Sequence, residues 1–331
     1  MISSKIPNIG RLHCLVDHQK NKLFFSLVDY RNNYFTSDDP NKIIEFYNGF
    51  EDRDQLILWM KERPKGVATL HEVEGDKEII VVIPTADFSG EYARDCRGNI
   101  FKGLHIVFVE SGGIEDFYFN YAHNCNVGIK KAMEYNPKWI VFSNDDMYKI
   151  DDIAKLKSGL TKFSSEEQSV VLCCKESLYH SKYISFSFRT ARRKAIFFVM
   201  GEIYRKRLLL EKKFKIKYII GMTTEIFRFF YRPRFKFKYT GSFGIFSIGL
   251  VKKYGGVMFD ETYVNGTEDL DQSWRFIQDN IAEKCLNYEI GDYIGSSLGP
   301  YTIKRILRIL LNDVYLNLKI ESGELKLSLF S

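Results

Sequence analysis

The sequence predicts an α/β protein with a mostly parallel sheet flanked by helices, and three observations carry that reading. Apolar runs within Lys77–Thr85 (KEIIVVIPT), Leu104–Val109 (LHIVFV) and Trp139–Phe142 (WIVF) show little polar alternation, as expected of strands buried on both faces. Between the second and third runs, Asn120–Tyr135 keeps Ile129, Ala132 and Met133 at helical spacing, and strand–helix–strand order implies parallel neighbours. Each run also ends in turn-forming or charged residues: Pro84-Thr85, Glu110-Ser111-Gly112-Gly113 and Asn144-Asp145-Asp146. Paired carboxylates do not stay inside a core. They mark the strand ends, where open α/β sheets bind ligands.

In chain order, residues 1–76 read as a small N-terminal α/β extension. A strand is expected at KLFFSLVDY, a turn at Arg31-Asn32-Asn33, a helix over Asn41–Glu62 opened by Asp38-Asp39-Pro40, and a short strand over Gly66–Val73. Residues 77–300 form the main domain. A helix over Glu268–Asn280 places Glu268, Asp269 and Asp271 in its first turn, where the dipole favours acids with or without a function. Tyr301–Leu318 is a second amphipathic helix within a C-terminal piece, 301–331. Its Ile303, Ile306, Leu307, Leu310 and Val314 share one face, which favours packing on the main domain.

The net charge of +6 hides an asymmetry. Residues 175–240 hold 18 Lys and Arg against 4 Asp and Glu, interleaved with Phe, Tyr, Ile and Leu, which leaves the remainder net acidic by 8. Such a basic, aromatic insert suits an anionic membrane surface, its plainer reading being a basic structural subdomain; a nucleic acid would account for the insert but not for the carboxylates. The six cysteines lack CxxC pairs and framework spacing, so all are expected to be reduced thiols. MISSKIPNIG lacks the apolar stretch of a signal peptide. The expected placement is cytoplasmic and peripheral at the membrane. His105 falls inside a strand and reads as a core histidine.

Five segments in order, VVIPT, VFVESGG, NCNVGIKKA, FSNDDM and GGVMFDETYVNGTEDLDQSWR, resemble the family 2 glycosyltransferases of the GT-A fold over residues 78–275. The resemblance implies a GT-A-type, Rossmann-like sheet and metal-dependent inverting transfer from a nucleotide-sugar donor to a glycan or lipid-linked acceptor. It implies catalytic Asp269 with Glu268, nucleotide-sugar contacts at Pro84, Thr85, Glu110, Asn126, Asn144, Asp145 and Gly241, and Mn²⁺ or Mg²⁺ on Asp146 and Asp292. Glu110 and Asn144 depart from the family's usual Asp, and Asp292 stands in the place of a usual His. Asp292 reads equally as a metal ligand or an exposed turn residue. Gly241, Gly244, Gly255 and Gly256 read either as close approaches to the sugar or as ordinary turns, and Arg275 as a brace for the acidic loop or a phosphate contact. The alternatives are a nucleotidyltransferase on a related sheet, or a non-enzymatic membrane- or nucleic-acid-binding protein.

Overall fold

The computed structural model describes residues 31–111, 118–173, 242–293 and 303–325, with the two-residue strands Tyr183–Ile184 and Phe235–Lys236. The N-terminal part is helical at 31–36, α1 (Pro40–Asn48) and α2 (Arg53–Glu62). The sheet region follows with β1 (Thr69–Val73), β2 (Asp76–Thr85), α3 (Glu91–Asp95), β3 (Leu104–Glu110), α4 (Tyr121–Met133), β4 (Trp139–Ser143), β5 (Met147–Lys149), α5 (Ile153–Leu160) and β6 (Ser169–Cys173). Then come β7 (Tyr183–Ile184), β8 (Phe235–Lys236), β9 (Phe243–Ser247), α6 (Ile248–Lys253), α7 (Glu268–Gln278), β10 (Ala282–Leu286), β11 (Ile290–Asp292) and α8 (Ile303–Glu321).

Seven strands form a mixed sheet in the order β1-β3-β2-β4-β9-β6-β10. β2, β3, β4, β6 and β10 share one direction, while β1 and β9 oppose it. The unbroken apolar runs follow from this placement. In β2, Ile79, Val81 and Ile83 enter one core while Ile80 and Val82 enter the core on the opposite face. β4 divides the same way, with Trp139 and Val141 on one side and Ile140 and Phe142 on the other. Each such side chain contributes about 1.5–3 kcal/mol by leaving water.

A third core joins the two ends of the described chain. Phe35, Phe46, Phe50 and Trp59 pack with Leu307, Leu311, Val314 and Leu316 of α8, and with Tyr263 and Trp274. The Tyr47 hydroxyl donates to Leu307 O (2.5 Å) and accepts from Leu311 N (3.2 Å). Arg308 donates to the carbonyls of Phe35, Thr36 and Ser37. Leu307, Leu310 and Val314 are buried, in keeping with an α8 packed on its own protein. The side chains of Ile303 and Ile306 lie outside the described residues.

Several expectations need correction. Residues 31–36 are helical rather than a turn, because Phe35 is drawn into the aromatic core and buried Asn32 accepts from Arg63 Nε at 3.0 Å. The single helix over 41–62 is two, since Asp52 caps a new start by accepting from Gln55 N at 2.9 Å. The strand expected from Gly66 begins at Thr69 and pairs antiparallel with β3, so it belongs to the main sheet. Cys96, Cys125 and Cys173 are buried free thiols, but Cys285 is disulfide-bonded, contrary to the expectation of six reduced thiols. It lies on the edge strand β10 with its side chain exposed, where a second sulfur can reach it. The expected strand KLFFSLVDY, nearly all of the basic insert and Gly241 fall outside the described residues. Among the described residues, no helix is long and apolar enough to cross a membrane.

Gly128 sets how closely α4 lies on the sheet. A Cβ there would stand 2.4 Å from Val82 Cγ1 and 2.7 Å from Val109 Cγ2. Gly128→Ala should therefore destabilise the fold by about 1–3 kcal/mol through overpacking, despite the roughly 1 kcal/mol that alanine gains as a helix former. Urea denaturation should show a lower midpoint with unchanged slope. A midpoint at or above wild type would mean that α4 is not seated this closely.

Candidate active site

The ends of β2, β3 and β4 carry the first half of the site. Thr85 Oγ1 donates to Asp145 Oδ2 at 2.7 Å. Burial pushes the Asp145 carboxyl up; Thr85 opposes the rise and the charge of Asp146 adds to it. Asp146 is 3% exposed. Its carbonyl accepts from Tyr293 N at 3.0 Å, and β11 pairs with β5 so that Asp292 lies opposite Met147. The two expected metal ligands thus occupy neighbouring backbone positions. Ser242 ties them further: its hydroxyl donates to Asp292 Oδ2 (2.9 Å) and its carbonyl accepts from Asn144 N (2.8 Å). Asp292 is therefore not a loose turn residue.

Glu110 is committed to the loop after β2. Its Oε1 accepts from Phe88 N at 2.8 Å, and its Oε2 lies 2.7 Å from His71 Nε2. Those two bonds hold the carboxyl below its ordinary range. Pro84 is buried in the sheet opposite Val109, and Thr85 stands opposite Glu110. His105 is fully buried and paired with Glu72 at 3.0 Å, the core histidine expected.

The second half is the start of α7. Asn265, Gly266 and Thr267 precede it with φ of 53°, 158° and 79°. For Thr267 the left-handed conformation is strained, because a β-branched side chain crowds its own backbone there. That turn aims Glu268 inward. Glu268 is 6% exposed and accepts from Gly266 N at 2.6 Å. Burial, with the charge of Asp269 next, pushes its carboxyl up to about 8. Asp269 is half-buried and accepts from its neighbour Leu270 N at 2.7 Å.

Helix α4 connects the two halves through polar residues on its first turns. Asn120 caps the helix by accepting from His123 N, and its amide donates to the carbonyls of Glu261 (2.9 Å) and Tyr263 (3.1 Å). Asn265 Oδ1 accepts from Tyr121 N at 3.0 Å. His123 Nδ1 lies 2.8 Å from Glu261 Oε2. Asn126, expected at the nucleotide-sugar, is fully buried and spends its side chain inside the protein. It donates to Phe259 O and Glu261 Oε1 and accepts from Met258 N and Phe259 N.

Tyr121 is the meeting point, and sequence reasoning missed it. Its hydroxyl donates to Asn144 Oδ1 in a short bond. Burial raises its phenol, and Cys125, Glu268, Asp269 and Asp146 add to the rise. With its N–H bonded to Asn265 and its hydroxyl to Asn144, it joins two segments separated by more than 120 positions in sequence. The only sequence signal was its place as the first residue after a capping Asn120.

Behind α7, Asp271 is fully buried and its Oδ1 lies 2.8 Å from Lys319 Nζ. Lys319 also reaches Asp260 and Glu324, both at 3.0 Å. Burial opposes the charge on Lys319, but Asp271 and Asp260 hold its ammonium above its ordinary range. Arg275 braces this acidic segment, with Nε 3.2 Å from Asp271 Oδ2 and a bond to Met258 O. Gly255 and Gly256 adopt φ of 60° and 76° in the turn after α6, and Gly244 lies within β9 opposite Phe142. A cleft of about 470 Å³, lined among others by Lys61, Lys65, Asp260, Arg275 and Lys319, includes none of the strand-end carboxylates.

No group of three or more His, Cys, Asp or Glu among the described residues is arranged to hold a metal ion. Asp146 and Asp292 stand at neighbouring backbone positions, and Mg²⁺ in a phosphate site commonly takes only one or two carboxylates, with water and phosphate supplying its other oxygens. No protein-family model matches the chain, and neither does any curated protein or solved structure.

Glu268 makes stability depend on pH. A buried acid whose folded pKa lies above its unfolded value binds its proton more tightly when folded, so stability falls as pH rises from about 4.3 toward 8. Glu268→Gln keeps an acceptor for Gly266 N and removes the titration. The mutant should lose less melting temperature than wild type between pH 5 and pH 8. Equal losses would show that Glu268 ionises as freely in the folded protein as in the unfolded chain.

Proposed function

We propose that the protein is a metal-dependent inverting glycosyltransferase that moves a sugar from a nucleotide-sugar donor to a hydroxyl acceptor. The observation that supports this best is the way Tyr121 joins two carboxylate-bearing segments: its hydroxyl donates to Asn144, beside Asp145 and Asp146 at the β4 end, and its N–H donates to Asn265 in the turn that leads into Glu268 and Asp269. Glycosyl transfer needs both. One group must face the leaving diphosphate, and the other must face the attacking hydroxyl.

The chemistry divides accordingly. Held by Asp146 and Asp292, Mg²⁺ or Mn²⁺ would supply positive charge against the departing diphosphate. Asp269 takes the proton of the acceptor hydroxyl as that oxygen attacks the anomeric carbon. Glu268, whose carboxyl is held protonated to about pH 8, is suited to donate a hydrogen bond that orients the acceptor. Thr85 holds Asp145 beside the donor, and Glu110 holds the loop after β2 through Phe88. The basic composition of residues 175–240 supports a peripheral place at an anionic membrane with a lipid-linked acceptor.

The test is a thermal-shift titration of the full chain against UDP-, GDP-, CMP- and dTDP-sugars, with and without Mn²⁺ or Mg²⁺. Ligand bound only by the folded state raises the melting temperature. One nucleotide class should give a metal-dependent rise that Asp146→Ala abolishes. No rise with any donor would overturn the proposal. Where a donor binds, Asp269→Asn should keep the thermal shift but lower the transfer rate by roughly 10²–10⁴-fold, the usual range for loss of a general base. Retained transfer would remove Asp269 from that role.

A further inference from the structure

Asn144 follows β4 and precedes the Asp145-Asp146 pair, and an amide at that place can turn either its oxygen or its N–H groups toward a ligand. Its Oδ1 accepts from the Tyr121 hydroxyl. Its backbone is fixed by the bond from Asn144 N to Ser242 O at 2.8 Å. Tyr121 is itself held from two sides. Its N–H donates to Asn265 Oδ1 at 3.0 Å, and its ring packs against Phe142 with centroids 6.0 Å apart.

We infer that Tyr121 is a positioning residue: by occupying Asn144 Oδ1, it turns the Asn144 amide so that N–H groups meet the bound nucleotide. The inference rests on the glycosyltransferase reading for the identity of that ligand. It makes Asn144 a contact of the nucleotide and not of the metal, since an amide nitrogen is a poor partner for Mg²⁺ and Mn²⁺, which favour oxygen. It also adds a neutral donor for a ribose or diphosphate oxygen beside two carboxylates that would otherwise repel that oxygen. The phenol suits the task. Burial disfavours its phenolate and so keeps the protonated form that donates.

Two measurements on the full chain separate this inference from the reading beneath it. In ¹⁵N-labelled protein without ligand, the Asn144 side-chain amide signals, assigned by their loss in Asn144→Asp, should move in Tyr121→Phe. Unchanged signals would overturn the Tyr121–Asn144 contact, whatever the protein binds. Calorimetry with UDP, GDP, CDP and dTDP in Mn²⁺ should show about 5–30-fold weaker binding of the preferred nucleotide for Tyr121→Phe and for Asn144→Ala. The double mutant should lose no more than the worse single one, because both remove the same bond. Multiplying losses, or full affinity in Tyr121→Phe, would overturn the positioning role. Amide signals that move in Tyr121→Phe while the wild-type protein binds no nucleotide would instead overturn the glycosyltransferase reading and the ligand named here.

Discussion

The site depends first on the grip of α4 upon residues 258–265. Asn126 alone makes four hydrogen bonds to that segment from a fully buried position, and Asn120 adds two. Each bond contributes about 1 kcal/mol net, but a buried group left without its partner costs about 1–3 kcal/mol. The grip is thus satisfied as a whole or lost as a whole. It also has a direction. Gly128 presses α4 onto β2 and β3, so a segment fastened to α4 is fastened to the sheet, and Glu268 and Asp269 are fixed relative to Asp146.

A second constraint acts from behind. Asp271 and Lys319 are both almost wholly removed from water; burial pushes the Asp271 carboxyl up against the pull of Lys319 and Arg275, and Arg275, Tyr263 and Asp260 share the charge and the hydrogen bonds of the pair. Asn312 of α8 accepts from Val264 N (2.8 Å) and donates to Val264 O (2.9 Å). Two helices thus hold the loop that carries strained Thr267, one gripping from the sheet side and one from the helical side. A left-handed β-branched residue persists only under such over-determination.

Much of the fold was legible because burial leaves a direct trace. β2, β3 and β4 read as apolar runs since both faces of the sheet are covered, α4 read from its helical spacing, and α7 from the acids of its first turn. The N-terminal region was harder. Residues 31–33 look like a turn locally, and the helix there depends on Phe35 meeting Phe46 and Trp59, a tertiary contact without a local signature. The carboxylates of the site were visible as Asn144-Asp145-Asp146 and Glu268-Asp269, but their relation was not. It passes through Tyr121, whose importance lies in distances across the fold. Asn126 misled for a related reason: an asparagine bound to a ligand and one bound to backbone look alike in sequence.

The anchor of Asp271 has a consequence for the order in which the protein is made. On a ribosome, α7 leaves the tunnel some forty residues ahead of Lys319. During that interval Asp271 has no ammonium opposite it, and Val264 has no Asn312 to hold it. Nascent chains that stop short of residue 319 can form the sheet while the acidic turn is still unset. The half of the candidate site at the start of α7 is therefore completed late, by a helix that supplies none of its residues.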